Sequence, residues 1–229
     1  MWGAFGTSLF FLGVAHLLAR GFLGTHHRPT TYWFLEHALI NFVLTVLSLP
    51  GLKASWNDPT SSLDVRLYGS QTMQGSSFPM ILAFMLHLYH GLLYSVSAAD
   101  AMHHLVFVTF LTLPGCLYEW GALANAQLFF MCGLPGGLTY FLLAMQRTGR
   151  CLWLPEPAVT ACLHVFLRTP GVLACASCMI DIFLAHDGTL PNQAIPMWAI
   201  LFQIFLAPLN GIYYAHDSVL RWRRKRVSS

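Results

Sequence analysis

Charged residues are scarce in this sequence. Aspartate, glutamate, lysine and arginine together make up 9% of the chain, whereas a soluble domain carries about 25%. Hydrophobic residues make up 56% of it. This composition excludes an ordinary soluble globular domain and places the chain in a lipid bilayer. At 229 residues, a single domain is expected.

A pair of CxxC motifs and a cleavable secretion signal are also missing. The six cysteines include one CxxC motif, Cys175 to Cys178, within an apolar run. A buried free cysteine behaves as a small hydrophobic residue, so we favour packing over a redox or metal role for this pair. The apolar N-terminal segment has no basic region before it and no small-residue cleavage site. We therefore expect it to be retained as the first membrane helix.

Seven apolar segments are long enough, or nearly so, to cross a bilayer of about 30 Å. They lie at residues 2–19, 32–49, 78–96, 101–113, 122–145, 159–183 and 195–220. The fourth is the shortest, and a helix of that length covers only about 20 Å of the bilayer. The sequence thus predicts an all-α membrane protein that forms a bundle of seven transmembrane helices.

The distribution of basic residues supports this count. With seven alternating helices, nine lysines and arginines lie on one side of the membrane. Only Lys53 and Arg66 lie on the other side, and Arg168 lies within a helix. Because positive residues are retained in the cytoplasm or matrix, the basic run at 221–226 fixes the C terminus there. That run favours contact with anionic lipid over the alternative of nucleic-acid binding.

Three regions follow from this topology. Residues 1–30 are predicted to form the first transmembrane helix and a basic loop, residues 31–220 a six-helix membrane domain, and residues 221–229 a basic tail. The longest connection, at about 50–77, then faces the side opposite the tail. We identify no internal repeat and no nucleic-acid partner.

Proline and glycine are expected to interrupt two helices, at 133–137 and at 168–171. Broken backbone at membrane depth persists only where it is buried in protein or lines a cavity. A simple proline kink is the alternative, but Arg168 beside the second break favours a cavity there. A buried arginine needs solvation or a partner. By depth, the candidate partners are Glu36 and Asp217.

Ionisable side chains converge on the half of the bilayer nearest the basic side. Such groups are costly in lipid and usually face the protein interior. Asp100, His103 and His104 have i, i+3 and i+4 spacing, so they share a helix face and the aspartate can orient a histidine ring. Any one histidine alone is better explained as a packing residue. Together, however, they predict one cavity lined by His90, Asp100, His103, His104, Gly136, His164, Arg168, Asn210 and Tyr214.

The same region carries a family resemblance. The sequence from Asp100 through His103-His104 into Leu105-Val106 resembles the central signature of the TLC domain. This family comprises translocating-chain-associating, longevity-assurance and ceroid-lipofuscinosis proteins. The segments at 163–170 and 203–214 are similar to its last two helices. The resemblance covers roughly residues 31–220 and implies a TLC-type bundle that binds or senses lipid.

Within that family, ceramide synthases acylate sphingoid bases with acyl-CoA and carry the motif His-His-x-x-Thr. Here Phe107 occupies the threonine position, and the downstream acidic pair of the synthases has no counterpart. We therefore expect a non-catalytic protein that binds membrane lipid, either a phospholipid or a sphingolipid, and that needs no other cofactor. It would act alone or as a lipid-holding accessory subunit with other membrane subunits.

Two enzymatic alternatives remain open. The first is an acyl-CoA-dependent N-acyltransferase in which His103 or His104 acts as general base. The second is a metal-dependent membrane lipid hydrolase, although the histidine spacing does not supply three converging ligands and we assign no metal site. The resemblance implies the endoplasmic reticulum as the location, and the mitochondrial inner membrane is the alternative.

Overall fold

The chain is almost entirely helical. The computed structural model describes residues 2–24, 26–95, 97–150, 155–186 and 195–227, and no β-strand occurs within these ranges. Eight helices are present in them: α1 (Trp2–Leu23), α2 (Pro29–Asn57), α3 (Val65–Tyr68), α4 (Phe78–Leu93), α5 (the consecutive segments Ala98–His103, His104–Thr112 and Leu113–Leu117), α6 (Gly121–Arg147), α7 (Glu156–Ala185) and α8 (Met197–Val227).

Six of these helices, all except α3 and α4, are long and apolar enough to cross a membrane. The chain is therefore an integral, multi-pass membrane protein. α4 is apolar but has only 16 residues, which cover about 24 Å. The sequence predicted the shortest helix to be the next one, at 101–113. Instead α5 extends to Leu117, because Pro114 and Gly115 remain helical.

Wider turns precede the internal prolines of α5 to α8, whereas Pro50 lies in α2 without one. α5 to α8 each contain a π-helical stretch, in which backbone hydrogen bonds span five residues. These stretches are His104–Thr112, Phe129–Gly133, His164–Arg168 and Phe202–Leu206. Each ends two residues before a proline, namely Pro114, Pro135, Pro170 and Pro208.

A proline inside a regular α-helix lacks a hydrogen-bond donor, and its ring clashes with the carbonyl group of residue i−4. A π turn changes the spacing of the preceding carbonyl groups and relieves this clash. The segments at 133–137 and 168–171 were predicted to break their helices. Both are instead continuous with the helix on either side.

α2 is the central helix of the bundle and packs against α6, α1 and α4. Glycine permits its close approach to α6. A Cβ atom at Gly136 would lie 2.6 Å from Asn41 Nδ2, and one at Gly137 would lie 2.9 Å from Phe42 Cδ1. Small residues have this role at many membrane helix interfaces. The glycines after Pro135 thus serve the packing of α6 on α2.

Buried amide side chains join three other helices. Gln127 Nε2 on α6 donates to Gln203 Oε1 on α8 at 3.0 Å. Gln203 Nε2 in turn donates to the carbonyl oxygen of Leu111 on α5 at 2.9 Å. Both glutamines are buried. In lipid, such interhelical hydrogen bonds help to hold helices together, because the hydrophobic effect does not distinguish a lipid tail from a leucine.

The connection between α2 and α4 closes the bundle at the end opposite the basic tail. Asn125 Nδ2 on α6 donates to the carbonyl oxygens of Gln74 and Ser76, at 2.8 and 3.0 Å. Gly51 on α2 lies directly beneath this contact. A Cβ atom there would lie 2.5 Å from Asn125 Cβ and 2.8 Å from the oxygen of Gln74.

We expect Gly51→Ala to destabilise the protein by about 1–3 kcal/mol, because the new methyl group would meet backbone that cannot move aside. Thermal unfolding of purified protein in detergent measures this as a lower midpoint. Gly13→Ala is the matched control, since nothing lies within 4 Å of its added Cβ and alanine favours helix. Equal midpoints for the two variants would contradict the close approach at Gly51.

Candidate functional site

A cavity of about 330 Å³ lies inside the bundle, towards the end of α8 that continues into the basic tail. Its wall is formed by α2, α4, α5, α6, α7 and α8. Of the nine residues predicted from the sequence, six line it: Asp100, His103, Gly136, His164, Arg168 and Tyr214. Asn210 lines a second, smaller cavity, which shares Arg168 and His103 with the first.

The remaining two predicted residues, His90 and His104, lie behind the wall. The His90 ring stacks on Trp33, with 3.7 Å between ring centroids and 17° between ring planes. The His104 ring is edge-on to His90 at 5.2 Å. Both histidines therefore belong to an aromatic cluster between α2, α4 and α5, and the structure does not place them on the cavity surface.

Arg168 is buried at membrane depth, with 8% of its surface exposed. Its Nη2 donates to Asn210 Oδ1 at 2.6 Å, and its guanidinium group lies 4.7 Å from the centroid of the Tyr214 ring. Next to it, Thr169 Oγ1 donates to the carbonyl oxygen of Gly211 at 3.0 Å. α7 and α8 are thus joined around a cation by a neutral amide and an aromatic face.

The acidic partners predicted for this arginine are engaged elsewhere. Glu36 Oε1 accepts from the Tyr94 hydroxyl at 2.8 Å and lies 2.9 Å from His16 Nδ1, which ties α1 and α4 to α2. Asp217 Oδ2 pairs with Arg221 Nε one turn further along α8, at 3.0 Å. Both candidate partners were therefore wrong, and no described carboxylate forms an ion pair with the buried guanidinium group.

Asp100 caps the start of α5. Its Oδ2 accepts from the Ser97 hydroxyl at 2.6 Å and from the Ser97 backbone N–H at 3.2 Å. The Asp100 N–H donates to Ser97 Oγ at 3.2 Å, which completes a capping box. Ser97 is therefore the N-cap residue of α5, and Asp100 is its partner in the first turn. This carboxylate does not orient a histidine ring as predicted.

A hydrogen-bonded chain crosses the bundle beside the cavity. His87 Nδ1 lies 2.7 Å from the carbonyl oxygen of Ala83, which can only accept, so Nδ1 carries a proton. The Nε2 atom of neutral His87 then accepts from His103 Nε2, 3.3 Å away. His103 Nδ1 is left to accept from the Tyr214 hydroxyl at 2.9 Å. The geometry thus assigns both tautomers, and both nitrogens of His103 are engaged.

Several buried polar atoms around the two cavities have no hydrogen-bond partner within the described part of the chain. They are His37 Nδ1, Asn41 Oδ1, Thr139 Oγ1, Arg168 Nε and Asn210 Nδ2. Buried polar atoms in folded proteins are nearly always hydrogen bonded. They are distributed around the two cavities, so this part of the bundle interior is polar.

Some wall residues lie outside the set of nine that the sequence predicts for the cavity. His37 and Asn41 are one turn apart on α2 and both face the cavity, together with His87 from α4. A signal was present, because two polar residues at i and i+4 in an apolar run mark a helix face that is turned away from lipid.

Among the described residues, no group of three or more histidine, cysteine, aspartate or glutamate side chains is arranged to hold a metal ion. Comparison with known proteins gives no match: no protein-family model fits the chain, and no curated protein or solved structure is significantly similar to it. The residues that line the cavity are therefore the basis for a functional assignment.

The Arg168–Asn210 contact can be tested by a double-mutant cycle. Asn210→Leu leaves a buried guanidinium group without its acceptor, and we expect a loss of about 1.5–3 kcal/mol in the free energy of unfolding. Adding Arg168→Met removes the stranded charge and should recover much of this loss. Denaturant unfolding in detergent measures each variant. Strictly additive effects of the two substitutions would show that the pair does not interact.

Proposed function

We propose that this protein is a TLC-type membrane protein that binds a lipid by its polar head and catalyses no reaction. In this proposal α4 is the seventh membrane-crossing helix, so the two termini lie on opposite sides of the membrane. The bound molecule is a phospholipid or a sphingolipid. The protein acts alone or as a lipid-holding subunit of a larger membrane complex, and the family resemblance favours the endoplasmic reticulum.

The buried guanidinium group of Arg168, which no described carboxylate neutralises, carries this proposal. Small-molecule sites are typically about 300–1,000 Å³ in volume, with a few convergent polar groups, and the cavity of about 330 Å³ falls in this range. Arg168 faces it with a buried Nε that has no partner within the described chain. A phosphate or another anionic oxygen would complete this site through charge-assisted hydrogen bonds.

Two features favour binding over acyl transfer. Phe107, in place of the threonine of the synthase motif, is buried, and its ring lies 5.8 Å from that of His103. It offers no hydroxyl group to a reacting centre. His103 uses Nε2 and Nδ1 in the chain from Tyr214 to His87, so neither nitrogen is free to act as a base in this arrangement.

The same chain favours the acyltransferase as the second candidate. If a substrate amine or hydroxyl displaced Tyr214, it could donate to His103 Nδ1. His103 would then act as a general base and pass its Nε2 proton to His87. No other contact of the described site supports this reaction specifically.

Lipid retention tests the first proposal. We expect wild-type protein purified in mild detergent to retain about one lipid per chain, and Arg168→Gln to lose most of it, because the charge-assisted bonds to the head are gone. Quantitative mass spectrometry of extracted lipid measures the ratio. Arg223→Gln, the same change at an exposed position of the tail, is the control. Equal retention in the two variants would refute a role for the cavity.

A turnover assay tests the second candidate. We expect no product when wild-type protein is incubated with a sphingoid base and long-chain acyl-CoA, because His103 is engaged at both nitrogens. Robust N-acylation that disappears in His103→Ala, with the variant still monodisperse and folded, would make this protein an enzyme. Product formation unaffected by that substitution would point to a contaminating activity.

A further inference from the structure

We infer that the cavity binds a zwitterionic phospholipid, with the lipid phosphate against Arg168 and Asn210 and the ammonium group near Asp100 and Asp217. This inference rests on the proposed function, since it names the class of lipid that the same site takes. It comes from the way charge is arranged along the cavity wall.

The wall carries opposite charges at its two ends. At one end, Arg168 contributes a positive charge that no described carboxylate neutralises. Asp100, Asp217 and Arg221 also line the wall, and Asp217 Oδ2 pairs with Arg221 Nε at 3.0 Å. Together these three groups carry one net negative charge. The cavity is therefore dipolar, and a dipolar head group matches it better than a singly charged one.

Helix geometry orders these charges by depth. Asn210, the partner of Arg168, lies seven residues before Asp217 on α8, which corresponds to about 10 Å along the helix axis. Tyr214 lies between them and bonds to His103 on α5. Asp100 precedes His103 by one turn, so both carboxylates lie nearer the basic end of the bundle than the arginine does.

This order is the same as that of a phospholipid in one leaflet. From water inwards, such a lipid presents its ammonium group, then its phosphate, and then its acyl chains. From the basic end inwards, the protein presents carboxylates and then Arg168. Phe107, Val108 and Met131 lie with Arg168 in the lining of the smaller cavity, so the arginine borders apolar side chains there.

Aromatic side chains favour the same orientation. Tyr140, Tyr213 and Tyr214 line the main cavity along with Phe34. Aromatic faces attract ammonium groups, and the attraction increases where water is excluded. Lipids such as phosphatidylglycerol lack an ammonium group, so with them the carboxylates would face only hydroxyl groups.

Competition in a mixed bilayer tests the inference. The full-length protein is reconstituted in nanodiscs that contain equal parts of phosphatidylethanolamine, phosphatidylcholine, phosphatidylglycerol and phosphatidic acid. After extraction into mild detergent, native mass spectrometry identifies the retained lipid. We expect the ratio of zwitterionic to anionic lipid on the protein to be about ten times the ratio in the bilayer. A difference of this size corresponds to one favourable charge contact that the anionic lipids cannot make.

Charge-neutral variants locate the selectivity. Asp100→Asn combined with Asp217→Asn should abolish the preference, so that the phospholipid still bound follows the composition of the bilayer. Asparagine can still accept from Ser97, so the cap of α5 is kept. Asp181→Asn, at an exposed position of α7, is the control. If the double variant does not fold, Asp217→Asn alone should still reduce the preference.

The outcomes separate the two proposals. If no lipid is retained, either from these nanodiscs or from nanodiscs that contain sphingolipid, both fail. If phospholipid is retained but anionic lipids equal or exceed zwitterionic ones, only the present inference fails. A preference that survives the Asp100 and Asp217 substitutions also overturns it. Phosphoethanolamine alone supplies the head without chains, and its binding as tightly as the intact lipid would show that the site takes a soluble ligand instead.

Discussion

The centre of this structure depends on a guanidinium group that is buried at membrane depth and has no carboxylate partner among the described residues. Placing an arginine at membrane depth costs several kcal/mol unless it is solvated by protein. Here Asn210 and the face of Tyr214 supply that solvation, and both lie on α8, so α7 and α8 must stay in register around Arg168. A neutral amide disperses charge but does not cancel it. The deep end of the cavity therefore remains positive.

Much of the fold follows from composition and hydrophobic length, because backbone in lipid must satisfy its own hydrogen bonds and so forms helices. The sequence therefore predicted the all-helical, multi-pass class and the positions of the long apolar segments. It did not predict how Pro135 and Pro170 are accommodated. A proline shows that regular hydrogen bonding fails at that point, but whether the helix breaks, kinks or widens depends on the neighbouring helices.

The candidate site was predictable to the extent that helical periodicity fixes it. Residues such as His103, Arg168 and Tyr214 line one cavity, because each lies on the polar face of its own helix. His90 does not, because the rotation of α4 about its axis is set by stacking on Trp33, a contact between distant parts of the sequence. Asp100 formed a local cap with Ser97, which was the nearest donor available to its carboxylate.

The hydrogen bonds of His103 favour binding over catalysis in the function proposed above. A general base needs a free nitrogen within reach of the substrate, and here the Tyr214 hydroxyl takes Nδ1 while Nε2 donates to His87. Freeing Nδ1 requires Tyr214 to turn away, which would also remove the aromatic face from Arg168. The hydrogen bond to His103 and the contact with Arg168 would be lost together, because the Tyr214 side chain makes both. A ligand that satisfies Arg168 and leaves Tyr214 in place completes the site as it stands, and this coupling favours a lipid that is held over one that reacts.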